Sequence, residues 1–306
     1  MRKYIFKRII ISFFTIIVLV TAVFFLVRLM PGDPFASEKM TPEIRANLEK
    51  YYGLDKPVII QYFTYISNLL RGDLGYSMNY VNITVNSIIK DSFPNSANLG
   101  IRAMVFAVSL GLIFGIRAAL SRGKFLDYLC IIIAIIGTSV PDFIMGSLLQ
   151  YFFGIKWGLL PVAQWKGFRY TILPSIALGF YTLALVSRLM RASMLEVVQQ
   201  DYIKTAKSKG ISKFRITSKH QIRNAILPII TVLGPITASV LTGTFVIESI
   251  FAIPGMGKYY VAGVQTLDYT LILGMTVFYG TFLVIANTIV DILYGFIDPR
   301  IRIIEK

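Results

Sequence analysis

A chain of 306 residues with 55% hydrophobic residues, only 15% charged residues and a mean hydropathy of +0.66 is too apolar for an ordinary water-soluble globule. Its net charge of +15 arises from basic residues in short clusters between long apolar runs, the pattern of membrane orientation rather than of nucleic-acid binding. The single cysteine, Cys130, excludes an intrachain disulfide and a cysteine-rich zinc site.

A helix needs about 20 apolar residues to cross about 30 Å of hydrocarbon. Runs of that kind at 9–27, 97–116, 128–153, 172–187, 226–247 and 271–296 predict an all-α integral membrane protein of about six transmembrane helices. The first run follows Arg2, Lys3, Lys7 and Arg8, but Arg28-Leu29-Met30-Pro31 is a poor cleavage site, so it reads as an uncleaved helix. Beyond it, Thr41-Pro42-Glu43 reads as a helix start and Gly53 as its end, predicting a small helical outer segment. Residues 1–95 are therefore the first transmembrane helix with an extracytoplasmic segment, and 96–306 the transmembrane core.

In the second run Ala103, Ala107, Gly111, Gly115 and Ala119 recur every four residues, a stripe of small side chains that lets helices approach closely. The third run contains a kink residue, Pro141, followed by Asp142, the one charge deep in a span. Asp142 is expected to be paired or to line water, with Arg102 as its candidate partner. These two are the candidate intramembrane pathway residues. The fourth run is short by this count.

The longest basic loop, 188–225, carries a helical stretch from Glu196 that Gly210 closes and Ser212 re-enters, an exposed helix–turn–helix. Periodicity alone leaves two further readings, a solvated basic loop or one lying on anionic lipid. Its helix has an apolar set, Val198, Tyr202, Ile203 and Ala206, and a basic set, Lys204, Lys207 and Lys209. The later segment from Glu248 through Pro254-Gly255 to Gly257 is expected to form a compact turn at the outer mouth.

Lys and Arg number nineteen in one set of alternate loops and eleven in the other. The richer set includes both termini, which are therefore placed in the cytoplasm of a multi-pass cell-membrane protein.

Covalent chemistry is hard to build from this chain. Neither Gly123-Lys124 nor Gly257-Lys258 continues as a phosphate-binding loop, so ATP hydrolysis would belong to partner chains. The one histidine, His220, stands between Lys219 and Arg223 in the basic loop without a nucleophile, and no metal-ligand cluster occurs. A membrane hydrolase is disfavoured on that ground. One deep charge is too few for an ion-coupled secondary transporter.

Asp201-Tyr202, Thr205-Ala206, Lys209-Gly210 and Arg223-Asn224-Ala225-Ile226-Leu227-Pro228 resemble the EAA-loop signature of binding-protein-dependent ABC importer permeases, in the oligopeptide and dipeptide branch. Lys204 stands where the general pattern has glutamate. Further segments resemble the same branch in order: 31–34, 52–57, 72–77, 248–257 and 298–302. The first three of these look like the B-type subunit. The resemblance implies a type I importer permease fold, with a second, C-type permease, two cytosolic ATP-binding subunits carrying ATP and Mg, and an extracytoplasmic peptide-binding protein. It makes Asp201, Tyr202, Thr205, Ala206, Lys209 and Gly210 the contact with the ATPase, and this chain itself binds no cofactor. Nickel and glutathione importers share much of the pattern.

Overall fold

A computed structural model describes residues 2–29, 46, 53, 56–80, 83–241 and 245–297. The expected helix start at 41–43 and the motifs at 31–34 and 298–302 lie outside these residues. The described elements are helical, apart from one isolated antiparallel bridge between Tyr76 and Thr84. In chain order they are α1 (Arg2–Arg28), α2 (Val58–Leu70), α3 (Val85–Leu120), α4 (Phe125–Ser139) and α5 (Asp142–Lys156), whose second half, Gln150–Lys156, is π-helical. There follow α6 (Phe168–Val198), α7 (Asp201–Ser208), α8 (Lys213–Ala225), α9 (Leu227–Leu241), α10 (Phe245–Ile250), α11 (Met256–Gln265) and α12 (Tyr269–Ile297). Among the described residues four helices are long and apolar enough to cross a membrane, and two bent pairs raise the number to six.

Two of the expected spans take a different form. The run at 128–153 is not one rod: α4 and α5 meet at 111°. Pro141 lacks an N–H, and it drives Val140 before it to an extended backbone, φ −93° and ψ 119°, which ends α4. The run at 172–187 is the apolar part of a helix nearly twice as long, the 31-residue α6. A smaller break of 49° separates α8 from α9 just before Pro228.

The chain divides into two compact units, residues 1–97 with 254–306 and residues 98–253, with α3 running through the division. In the first unit α1 lies along α12. Val20, Phe24 and Val27 of α1 are buried with Tyr65 of α2 and with Ile272, Leu273 and Val277 of α12. Gly280 lets Leu19 approach where a Cβ would collide with it. Near the chain ends Arg8 Nη1 pairs with Asp291 Oδ2 at 2.9 Å, and Ser12 shares a hydroxyl hydrogen bond with Thr288. The opposite face of α1, including Phe6, Phe13, Phe14 and Val18, is exposed and suits lipid.

This unit also contains a fully buried carboxylate. Asp268 caps α12 by accepting from Leu271 N–H at 3.0 Å and from Thr270 Oγ1 at 3.0 Å. Its other oxygen accepts from Met78 N–H at 3.0 Å, from Asn79 N–H at 3.2 Å and from the Ser77 hydroxyl. One side chain thereby pins the 77–79 turn to the start of α12. Burial, reinforced by Tyr259 and Asp268, pushes the neighbouring Tyr80 phenol above its ordinary pKa.

In the second unit α6 is the central helix, with Leu173, Ala177, Leu183, Ala184, Met190 and Met194 among its buried residues. The stripe predicted on α3 faces it. A Cβ on Gly111 would lie 2.9 Å from Val186 Cβ, and one on Gly115 2.6 Å from the Ser187 carbonyl. Further along the same face Gly179 of α6 abuts the Ala103 carbonyl of α3, and on another face of α6 Ala184 abuts Gly137 of α4. Near one end, Asp127 of α4 forms a bidentate pair with Arg191 of α6, Nη2 to Oδ2 at 3.0 Å, and also accepts from Gly123 N–H at 2.9 Å.

Two predictions follow from these carboxylates. Asp127→Ala leaves the Arg191 guanidinium partly buried without its anion and should cost about 3–5 kcal/mol. A lowered Tm in detergent, partly recovered by adding Arg191→Met, is the expected result. Asp268→Asn presents an amide donor to backbone N–H groups, so limited proteolysis should cut at 77–80 faster than in the parent chain while the spans stay resistant.

Candidate functional site

The segment that follows α6 is built as a bracket. Helix α6 stops at Val198, Gln200 turns to an extended backbone with φ −69° and ψ 146°, and α7 starts with Asp201 in its first turn. At its far end Gly210 adopts φ +71°, a region that a side chain resists, and Gly210 N–H bonds the Lys207 carbonyl at 3.0 Å. Ile211 N–H bonds the Ala206 carbonyl at 3.3 Å, which completes a Schellman stop. Ser212, again extended, opens α8.

Helix α7 is amphipathic, but its apolar face is already occupied. Ile203 is 0% exposed and Ala206 6%, packed among Met190, Met194 and Val197 of α6 and Ile216 of α8. The apolar set inferred from periodicity is thus split. Ile203 and Ala206 hold α7 to its own chain, because α6 continues long enough to cover them, whereas Tyr202 is 43% exposed. Thr205, Lys204, Lys207, Lys209 and Gly210 are exposed with it. Asp201 forms a solvent-facing pair with Lys204, Oδ1 to Nζ at 2.8 Å, of the kind that contributes well under about 1 kcal/mol. The loop expected at 188–225 is therefore almost wholly helical.

The candidate intramembrane residues are not brought together. Asp142 is half-buried in the first turn of α5, where its Oδ1 accepts from Phe143 N–H at 2.8 Å. Arg102 donates instead to Asn98 Oδ1 at 2.6 Å and to Thr171 Oγ1 at 3.3 Å, and it stands 5.4 Å over the Phe168 ring. The expected Arg102–Asp142 pair is replaced by these contacts, since the break at Pro141 carries Asp142 to a helix terminus that offers its own N–H groups.

The segment 248–257 forms a turn between two short helices. Glu248 is buried in α10, and its carbonyl accepts from Ile253 N–H at 2.8 Å. Ala252 turns the chain with φ +51°. Beyond it, the Pro254 carbonyl accepts from Asn95 Nδ2 at 2.9 Å, and Gly255 precedes α11. Gly257 lies inside the first turn of α11 rather than ending the loop. Met256 is buried with its N–H on Ser96 Oγ at 2.9 Å, so exposed Ala252 and, just beyond the segment, exposed Lys258 are better reporters of its position.

The ion pair of Asp127 with Arg191 was not legible in the same way. Asp127 falls one residue outside the predicted apolar run, and Arg191 counts among loop charges until α6 is seen to extend past it. The signal available was an aspartate in the first turn of an apolar helix. Among the described residues no cluster of three or more His, Cys, Asp or Glu could hold a metal ion.

Residues 111–303 match the family described as binding-protein-dependent transport system inner membrane component. Residues 1–100 match the N-terminal component family of the same transport systems. The chain is 46% identical to the dipeptide transport system permease protein DppB of Bacillus subtilis, with 100% of both chains covered. It is 44% identical to the oligopeptide transport system permease protein OppB of Haemophilus influenzae, over 99% of this chain and 100% of that one. Against the Escherichia coli OppB protein the identity is 39%, over 99% and 100%. A solved structure of the MetNI methionine ABC transporter in inward-facing conformations matches the fold with a TM-score of 0.50 at 14% identity, covering 69% of this chain and 94% of that one. Family, full-length relatives and fold agree, and the chain belongs to the inner membrane components of binding-protein-dependent transport systems.

Proposed function

We propose that this chain is one of two pore-forming permeases of an importer that carries dipeptides or oligopeptides, delivered by an extracytoplasmic binding protein and driven by two cytosolic ATP-binding subunits. The observation that carries the solute is identity along the entire chain to permeases named for dipeptide and oligopeptide transport. The motor subunits hold ATP and Mg, and this chain performs no hydrolysis. The excess of Lys and Arg beside both termini and in 188–225 supports a cytoplasmic position for these segments.

In this reading α7 is the contact with the motor. Ile203 and Ala206 fix it to α6, so a force on its exposed face, through Tyr202, Thr205, Lys209 and Gly210, moves α6 with it. Motor closure on ATP then biases the inward-open and outward-open states, and the permease contributes geometry rather than chemistry. The basic side chains of α7 suit a docking groove with an acidic rim. Asp142 and Arg102 are assigned to the polar route through the spans, and 248–257 to its outer mouth.

Reconstitution with the partner subunits tests the solute. Labelled dipeptide or oligopeptide uptake should require ATP, Mg and the binding protein. Uptake on an ion gradient without ATP would contradict the reading, and accumulation of nickel or glutathione in place of peptide would reassign the solute.

The docking face has its own test. A cysteine at Tyr202 or Thr205 should cross-link to the ATPase, whereas one at Ile203 or Ala206 should not; buried Cys130 contributes little background. Gly210→Arg meets no atom within 4 Å of its added Cβ but strains the φ of +71°, so Gly210→Ala, which carries the strain without the bulk, is its control; at equal membrane abundance the arginine variant should lose most peptide uptake and the alanine variant should keep it. Normal uptake at normal membrane abundance would count against the contact.

A further inference from the structure

A shallow groove opens between α4 and α6, lined by Ile131, Ala134, Ile135 and Thr138 on one side and by Arg188 and Arg191 on the other. Its floor is closed, because Cys130 and Ser187 are hydrogen-bonded at 2.9 Å and Gly137 meets Ala184 beneath it. Two observations describe what would fill it. The first is charge. Arg191 is committed to Asp127, whereas Arg188 is exposed and forms no hydrogen bond or ion pair among the described residues. Arg122 and Lys124 lie in the turn that leads into the same end of α4. The second is polarity. Ile135 is 57% exposed, and the wall running away from the guanidinium is aliphatic.

We infer that this groove holds an anionic phospholipid, its phosphate on Arg188 and the start of one acyl chain along Ile131 and Ile135. A guanidinium near the inner end of a span is costly to hold against lipid without an anion, so a phosphate at its own depth is favoured. Basic pockets between spans take lipid headgroups for this reason. A soluble anion would satisfy Arg188 but leave the aliphatic wall uncovered. A zwitterionic headgroup brings its own cation into a site whose net charge is already positive. The inference needs only that the chain spans a membrane, and it stands apart from the identity of the solute.

The test uses the complete transporter in phosphatidylcholine nanodiscs, doped with phosphatidylglycerol or with phosphatidylcholine bearing the same photoreactive acyl chain. The phosphatidylglycerol probe should label the peptide 125–139 several-fold more than its choline counterpart. Arg188→Gln should remove that excess and Arg188→Lys retain it. Ile135→Trp, which fills the aliphatic wall and leaves the charges in place, should also remove it and serves if the arginine variant fails to assemble. Excess inorganic phosphate should leave the labelling unchanged. Equal labelling by both lipids, labelling confined to other segments, or loss of signal with inorganic phosphate would overturn the proposal. So would a cysteine at Ile135 that cross-links to the second permease in place of lipid.

Discussion

Close approach of α6 to its neighbours is the constraint on which the second unit depends. Between helices in lipid the hydrophobic effect supplies little attraction, because acyl chains are as apolar as leucine, and association rests on contact and on a few polar bonds. Gly111 and Gly115 on α3, Gly137 on α4 and Gly179 on α6 itself remove the side chains that would hold those backbones apart. The same closeness brings Asp127 to Arg191 and Cys130 to Ser187. With α6 so held, whatever packs on its extension past the apolar segment shares its position. Helix α7 does so through Ile203 and Ala206.

Charge is distributed by the same logic. Two buried carboxylates among the described residues are held by several donors: Asp127 has a guanidinium and a backbone N–H, and Asp268 has hydroxyls and backbone N–H groups from two segments. Asp291 of α12 is paired with Arg8 of α1. The basic residues of α7 are exposed, on the face that remains after packing. These structural charges are paired within the chain, whereas the exposed ones of α7 stand where a partner of opposite charge would meet them.

Much of this was legible in the sequence because its signals are local. Span number follows from length and hydropathy, the α3 stripe from a strict spacing of four, and the stop of α7 from Gly210 followed by Ser212. The rest needed tertiary structure. Hydropathy marks only the apolar part of a helix, so α6 appeared as 172–187 although it continues to Val198. Periodicity showed that α7 has an apolar face but not that its own chain covers it. Pro141 was legible as a kink, but not that its 111° break would set Asp142 in the first turn of a new helix while Arg102 bonds Asn98 and Thr171. Asp268 could have been read as an N-cap before an apolar run; its bonds to 77–79 could not.

The central claim is that α7 and α6 move as one body. Spin labels at Thr205 on the exposed face of α7 and at Tyr181, 51% exposed on α6, report it most directly through pulsed dipolar distances in the assembled transporter. The account predicts one narrow distance distribution that is the same without nucleotide and with ATP trapped on the motor, while distances from either label to the second permease change. A Thr205–Tyr181 distance that shifts or splits with nucleotide would show that α7 swings free of α6, and would contradict it.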